Sequence, residues 1–319
     1  MLNVVVLLVG NVLGFDRPST LHSGNAGWKM RVEMLQFHLR KAQFAIVLIG
    51  VFFLLALPAK AVGPIRIGLT PTFLNERHAL MGDWQAYLER KLKRPVTFVL
   101  RDSYQETMEL LHQQHIDVAW LCDCPHVTAN PEFRLLVTPL FQGRPYYRAY
   151  LIVPETDKAT RGIFDLKEKV FAFTDPYSNV GYLLPRYEIK KSGVDPEHFF
   201  RRTFFTRSQR KAIEAVAVGI ADGASVNSYI WETINHQAPA LTGRTRVVAR
   251  SQEYGFPPFV ADHTFPVKDS LMLQQALIEM SGDVRGKKVL EKMNLTGFVL
   301  PPPNIYRDVQ EVVRFMQSN

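Results

Sequence analysis

Apolar residues occur at two spacings along the chain, and these spacings predict strands alternating with helices. Short apolar runs at residues 65–72, 96–100 and 116–121 are typical of buried strands. Between them, residues 76–92 and 104–112 repeat apolar side chains every three or four positions, as an amphipathic helix does. The order is β-α-β-α-β, which is the plan of a parallel sheet covered by helices.

The second half of the chain repeats this alternation and predicts a second lobe. Further strands are predicted at 133–140, 146–153, 170–173, 202–205 and 245–249, and a helix at 209–218. The chain crosses between the two regions twice, near 154 and near 254, so we predict an α/β fold of two lobes, each a mostly parallel sheet flanked by helices, with two hinge crossovers. Lobe 1 would comprise residues 62–153 and 255–319, and lobe 2 residues 154–254.

The most informative segment is 169–185, where a predicted strand leads into a predicted helix. A turn containing Pro176 ends the strand, and Ser178 is a good N-cap for the helix. Gly181 would let a ligand approach the backbone closely, and Pro185 predicts a short first turn followed by a kink or restart. The unpaired N–H groups of such a helix start can bind an anion. A capped helix with nothing bound fits the same residues.

The N-terminal region resembles an export signal. Residues 42–58 carry no charge, follow Arg40 and Lys41, and precede a small-x-small site at 59–61. We predict a signal region at 1–61 with cleavage after Ala61, and a true start at Met30 or Met34. An uncleaved membrane anchor is the alternative. Export places the protein in the periplasm.

Composition and net charge indicate which kinds of molecule the protein can bind. The 319 residues are 47% apolar, and the first 61 contain six of the 38 basic and two of the 30 acidic residues, which leaves residues 62–319 at +4. This mild positive charge suits a small anionic ligand and is far below that of a nucleic-acid-binding protein. We therefore expect no nucleic-acid partner, and we expect a monomer.

Cys122 and Cys124 are the only cysteines, and His126 follows them. Zinc sites usually place two to four residues between paired cysteines, and a fourth ligand is not evident, so we predict no metal site. Cysteines this close could form a strained disulfide, but two partly buried thiols are the preferred interpretation.

Six segments in one order resemble the phosphate-, phosphite- and phosphonate-binding branch of the periplasmic solute-binding proteins of ABC transporters. They are IRIGLTP (65–71), DVAWL (117–121), YRAYLIVP (147–154), FDLKEKVFAFTDPYSNVGYLLP (164–185), FFRRTFFT (199–206) and VAVGIADGASVNSYIWE (216–232). The resemblance implies a type II periplasmic-binding fold, no cofactor, and delivery of an oxyanion to an inner-membrane ABC permease and its ATPase.

The resemblance also implies which residues contact the ligand. The family's Ser-x-Ser-Gly helix start corresponds to Ser178, Asn179 and Gly181, with Val180 at the second hydroxyl position. Asn227 stands where relatives carry an acid. Position in the chain, rather than the resemblance, suggests further candidates in loops at strand ends or at the second crossover: Thr70, Thr72, Cys122, Tyr177 and Tyr254. A plain turn fits the two threonines equally well, and hinge packing fits the two tyrosines.

Three functions fit the sequence. The leading hypothesis is a non-catalytic binding protein that closes on a small oxyanion. The second is an enzyme on the same fold that uses Cys122 or Cys124 as a nucleophile, activated by a base such as His126. The third is a sensory domain that reports ligand occupancy to a membrane partner.

Overall fold

The computed structural model describes residues 33–39, 41, 63–70, 78–101, 103–123 and 133–318. The predicted signal segment at 42–58, the cleavage position after Ala61 and the residues Thr72, Cys124 and His126 lie outside the described residues. Within the described parts, no helix has the length and apolar character needed to cross a membrane. Residues 62–319 form one unit, which contains every strand named below.

Thirteen strands lie in the described residues, and most coincide with the predicted apolar runs. They are β1 Ile65–Leu69, β2 Val96–Leu100, β3 Val118–Trp120, β4 Phe133–Leu140, β5 Tyr146–Tyr147, β6 Ala149–Pro154, β7 Val170–Phe173, β8 Arg202–Phe205, β9 Gly223–Asn227, β10 Thr245–Arg250, β11 Tyr254–Gly255, β12 Phe259–Asp262 and β13 Gly297–Val299.

The α-helices of this unit pack on the faces of the sheets. They are α1 His78–Leu92, α2 Tyr104–His112, α3 Leu184–Lys191, α4 Gln209–Ala217, α5 Ser228–Gln237, α6 Pro239–Thr242, α7 Val267–Ile278, α8 Val284–Met293 and α9 Arg307–Gln317. A π-helical segment, Asn179–Leu183, runs directly into α3. Pro185 lies in the first turn of α3, which confirms the predicted restart.

The first sheet has the strand order β13-β4-β12-β3-β1-β2. β1 pairs in parallel with β2 and β3, whereas β12 pairs antiparallel with β3 and β4. Its core contains the fully buried rings of Trp84, Trp120 and Phe259. The Trp120 and Phe259 rings stack with centroids 5.0 Å apart, so the returning strand β12 is held against β3 by aromatic packing as well as by backbone bonds.

The second sheet has the order β10-β6-β9-β7-β8. β7 is parallel to β8 and β9, whereas β6 is antiparallel to β9 and β10. The predicted α/β class with two sheet bodies is confirmed. Four of the six strands of the first sheet run in one direction, as do four of the five strands of the second, and the remaining strands make both sheets mixed. The strands β12 and β6, which follow the two chain crossings, run against their neighbours β3 and β9.

The predicted strand at 146–153 is divided at Arg148. Its first part, β5, pairs with β11, so the two crossing segments form a two-stranded antiparallel ribbon. Its second part, β6, belongs to the second sheet. The lobe boundary after residue 153 stays a prediction, and β6, which it places in lobe 1, pairs in the second sheet. Periodicity does not reveal the change of sheet, because β5 and β6 are both apolar.

The C-terminal helix α9 also departs from the predicted assignment to lobe 1. Its Phe315 ring packs edge-on against Tyr187 of α3, with centroids 5.1 Å apart. The Lys190 ammonium donates to the Ser318 carbonyl over 2.6 Å. Just before α9, the Tyr306 hydroxyl donates to the Phe256 carbonyl over 2.8 Å beside the first sheet. The tail therefore contacts elements of both sheets.

Candidate ligand-binding site

Polar side chains gather where strands of both sheets end. Thr70 follows β1, Asp123 follows β3, and the turn 174–178 follows β7. β1 and β3 are neighbours, with Leu69 opposite Trp120. The carboxyl ends of parallel strands are the usual position of ligand sites in open α/β sheets.

The helix start after β7 has the predicted cap. The Ser178 hydroxyl accepts a hydrogen bond from the Gly181 N–H over 3.0 Å. The N–H groups of Asn179 and Val180, the first two residues of the helical segment, donate to no described residue. The segment therefore presents two backbone donors at its positive end, and both residues are buried.

The structure explains why position 181 needs a glycine, which the sequence does not show. A Cβ built on Gly181 would lie 2.8 Å from both Cβ and Cγ2 of Thr174. Thr174 also donates its N–H to the Gly181 carbonyl over 3.2 Å. The space beside Gly181 is thus filled by the turn itself, and its role as a ligand contact stays a prediction.

The carboxylate of Asp123 lies at the junction between the two sheets. It accepts from the Asn179 side-chain amide over 2.7 Å and from the Tyr147 hydroxyl over 3.0 Å to each oxygen. The neighbouring Cys122 thiol donates to it over 3.0 Å. Asn179 follows β7 of the second sheet, and Tyr147 lies in the β5–β11 ribbon, so these bonds join three parts of the fold.

Burial sets the electrostatics of this cluster. It raises the pKa of Asp123, and the hydrogen bonds from Cys122, Asn179 and Tyr147 only partly oppose that rise. Burial and the adjacent carboxylate keep the pKa of Tyr147 well above its ordinary value, so this hydroxyl remains a donor. Burial likewise raises the pKa of Asp175, against the N–H groups of Tyr177 and Tyr104 and the charge of Arg207.

The side chain of Cys122 is buried. Its bond to the Asp123 carboxylate disfavours the thiolate that a nucleophile needs, because two adjacent negative charges repel one another. This contact weighs against the Cys122 form of the enzyme hypothesis. Among the described residues, no group of three or more His, Cys, Asp or Glu side chains is placed to hold a metal ion.

Three buried side-chain oxygen atoms at these strand ends have no hydrogen-bond partner among the described residues. They are the Thr70 hydroxyl oxygen, the Oδ2 atom of Asp175, and the side-chain amide oxygen (Oδ1) of Asn179. An unpaired buried polar atom costs roughly 1–3 kcal/mol. Unsatisfied atoms contributed by both sheets indicate a place where a ligand or water completes the hydrogen bonding.

Asn227 is buried at the end of β9 and is used within the fold. Its side-chain oxygen caps α5 by accepting from the Tyr229 N–H over 2.9 Å. Its own N–H donates to the Gln209 side chain over 2.9 Å. The Gln209 amide in turn lies 3.4 Å from the hydroxyls of Ser178 and Thr174. Gln209 therefore connects Asn227 to the helix start.

Tyr177 and Tyr254 lie near the site in different settings. Tyr177 is half-buried and packs against the apolar cluster around Met108 and Leu111, which belongs to the first sheet. Tyr254 is buried in β11, opposite Tyr147. Burial raises the pKa of Tyr254 above its ordinary value, so it stays neutral.

The structure brings several predicted residues to one region: Ser178, Asn179 and Gly181 directly, and Asn227 through Gln209. Sequence reasoning missed Asp123 and Gln209. Asp123 could have been found from the sequence, because it is a lone carboxylate that closely follows an apolar strand. Gln209, at the start of a helix beyond β8, carried no such signal.

Comparison with known families agrees with this arrangement. Residues 67–304 match the family described as ABC transporter, phosphonate, periplasmic substrate-binding protein. The chain belongs to this family. Over 160 residues, this family member is also 24% identical to a probable ABC transporter phosphite-binding protein of Prochlorococcus marinus strain MIT 9301. That match covers 48% of this chain and 54% of the curated relative, so the chain spans about half the length of the relative.

Solved structures confirm the fold. A binding protein component of an ABC phosphonate transporter from Pseudomonas aeruginosa superposes with a TM-score of 0.71 at 20% identity, covering 80% of this chain and 87% of that one. The Prochlorococcus marinus protein PhnD1 in complex with methylphosphonate gives 0.70 at 18% identity, covering 79% and 97%. At these identities the likeness shows the type II periplasmic-binding fold, as the sequence predicted, and nothing finer.

Proposed function

We propose that this family member is a periplasmic solute-binding protein that captures a small oxyanion of the phosphonate, phosphite or phosphate class between its two sheets. It would act as a monomer and release the ligand, chemically unchanged, to an inner-membrane ABC permease driven by its ATPase. Methylphosphonate bound to PhnD1 and the phosphite-binding name of the curated relative support this ligand class.

The observation that carries the proposal is the helix start at Ser178. Its hydroxyl and the N–H groups of Asn179 and Val180 form a compact set of donors at the positive end of a helix. Hydrogen bonds from such donors to a charged ligand are each worth about 1.5–3 kcal/mol. Thr70, whose hydroxyl has no partner among the described residues, would add a donor from the first sheet.

Ligand binding would favour closure of the two sheets. Asn179, which follows β7 of the second sheet, bonds Asp123, which follows β3 of the first, and this contact supports a ligand site formed by both. A ligand that contacts both sheets binds the closed arrangement better and shifts the population toward it. A permease could then recognise the closed surface.

Isothermal titration of the protein expressed from the full chain, with phosphate, phosphite and methylphosphonate, tests the proposal. We expect one-to-one binding of at least one anion. Ser178→Ala should weaken that binding by about ten- to a hundredfold, as loss of one charge-assisted bond predicts. Ser208→Ala, which removes the N-cap hydroxyl of α4, is the matched control and should leave affinity unchanged. Absence of binding to all three anions would overturn the proposal.

A further inference from the structure

The position of Asp123 is unexpected for an anion site. Its carboxylate lies 2.7 Å from the side-chain nitrogen of Asn179, a residue at the start of the helical segment that offers donors to the ligand. Asp123 is completely buried. A carboxylate in this position would oppose a fully deprotonated oxyanion.

The partners of Asp123 do not neutralise it. Its hydrogen bonds come from Tyr147, Asn179 and Cys122, none of which carries a positive charge. None of the Lys, Arg or His residues that the structure describes forms an ion pair with it. Two negative charges in a site poor in water interact strongly, because the low local dielectric does not screen them.

Two buried side-chain oxygens in the segment that begins with the turn after β7 lack hydrogen-bond donors among the described residues. The side-chain amide oxygen of Asn179 and the Oδ2 atom of Asp175 are buried and accept nothing from a described residue. Both atoms can only accept, as can the Asp123 carboxylate when ionised. The segment therefore offers two kinds of group to a ligand. Its backbone N–H groups can donate to anionic oxygens, and its side-chain oxygens can accept a hydrogen from the ligand.

Given the proposed function, we propose that Asp123 makes the site select oxyanions that retain one acidic proton. The ligand's P–OH group would donate to the Asp123 carboxylate while its ionised oxygens accept from the helix-start N–H groups. The ligand would then bind as a monoanion, with one proton shared between it and Asp123. An oxyanion without that proton would leave two facing acceptors and be rejected.

The tyrosines around Asp123 do not ionise near pH 7, so they do not contribute to the pH dependence attributed to its proton. Tyr147 on β5, Tyr254 on β11 and Tyr306 before α9 all have raised pKa values, so they remain neutral near pH 7. Cys122 lies on the same segment as Asp123, and Asn179 does not ionise. His126 follows in sequence, outside the described residues, and an Asp123 variant separates its titration from that of Asp123.

Methylphosphonate and methanesulfonate form a matched ligand pair for the test. At about pH 5, below the second ionisation of phosphoryl groups near about pH 6, both are monoanions of similar shape, but only methylphosphonate carries a proton. We expect the wild-type protein to bind methylphosphonate at least about a hundredfold more tightly. We expect this preference to fall below about tenfold in Asp123→Asn, whose amide can donate to either anion.

The pH profile is a second readout. Wild-type affinity for methylphosphonate should fall as pH rises through the ligand's second ionisation, and the profile of Asp123→Asn should be flatter. Asp222→Asn is the control, because Asp222 accepts from the Val170 N–H at the opposite end of β7. This variant should keep both the preference and the pH profile of the wild type.

Each outcome decides a separate question. Equal wild-type binding of the two anions, or an Asp123→Asn variant with an unchanged preference, would overturn the selectivity proposal and leave the proposed function standing. No binding of any oxyanion would count against the proposed function itself. Thermal unfolding shows whether Asp123→Asn folds, and if it does not, the wild-type ligand pair still decides.

Discussion

The side chains of Asn179 and Asp123 form a direct 2.7 Å hydrogen bond that joins the second sheet to the first. Asn179 begins the helical segment after β7, and Asp123 follows β3. The contact therefore couples the position of the helix start to that of the first sheet. It also leaves a buried carboxylate with neutral partners only, which makes both stability and ligand choice sensitive to its proton.

We expect Asp123→Asn to gain stability over the wild type as pH rises. Burial raises the pKa of Asp123 above its ordinary value of 3.8, so the folded protein holds this proton more tightly than the unfolded chain. Stability is lost as pH rises from about that value through the raised pKa. Thermal unfolding of both proteins at about pH 4 and pH 7 measures this gain. The prediction is contradicted if their difference in Tm is the same at both pH values.

The contribution of Asp283 to stability should depend on pH in the opposite sense, increasing as pH rises. The N–H groups of Gly286 and Arg285 and the charges of Arg90 and Lys91 lower the pKa of Asp283. Its ionised form therefore stabilises the fold above the ordinary pKa of 3.8, and this contribution disappears as pH falls through the lowered value. Asp283→Asn keeps an N-cap but loses the charge, so it should lower Tm at pH 7 and have little effect in strong acid.

We expect Gly181→Ala to be destabilising by about 1–3 kcal/mol, the usual cost of overpacking. The added methyl group would collide with the Thr174 side chain. Thr174→Ala removes the hydroxyl and Cγ2 but leaves a Cβ 2.8 Å away, so it should relieve part of the strain. Urea unfolding of both single variants and the double variant measures this coupling. Additive effects would show that the two residues do not interact.

Tyr229→Phe should weaken ligand binding by opening the protein. The Tyr229 hydroxyl on α5 donates to the Met293 carbonyl at the end of α8 over 2.6 Å, which links elements beside different sheets. Losing this bond costs about 1–3 kcal/mol in the closed form, which lowers affinity by up to about 5- to 150-fold.

Tyr306→Phe provides the matched control for that variant. The Tyr306 hydroxyl contacts Thr138 and the Phe256 carbonyl, on the first-sheet side and its hinge. This variant should lower Tm without changing the radius of gyration in small-angle scattering. Tyr229→Phe should instead give a larger radius at partial ligand saturation. Equal radii for the two variants would rule out a role for Tyr229 in closure.

The sequence by itself determined most of the secondary structure. Strands β2 and β8 and helix α2 have the predicted bounds, and the Ser178 cap and the restart at Pro185 appear as expected. These features depend on neighbours within a few residues: apolar spacing, a capping hydroxyl, or a missing N–H group. Local sequence contains that information.

The tertiary structure decided how the strands pair and which polar groups meet. Nothing near Arg148 in the sequence separates β5 from β6, and the antiparallel return strands follow from where the chain re-enters each sheet. The bond between Asp123 and Asn179 joins residues 56 positions apart. The energy of a buried carboxylate depends on the groups that surround it in space, so its role becomes visible only when distant segments are brought together.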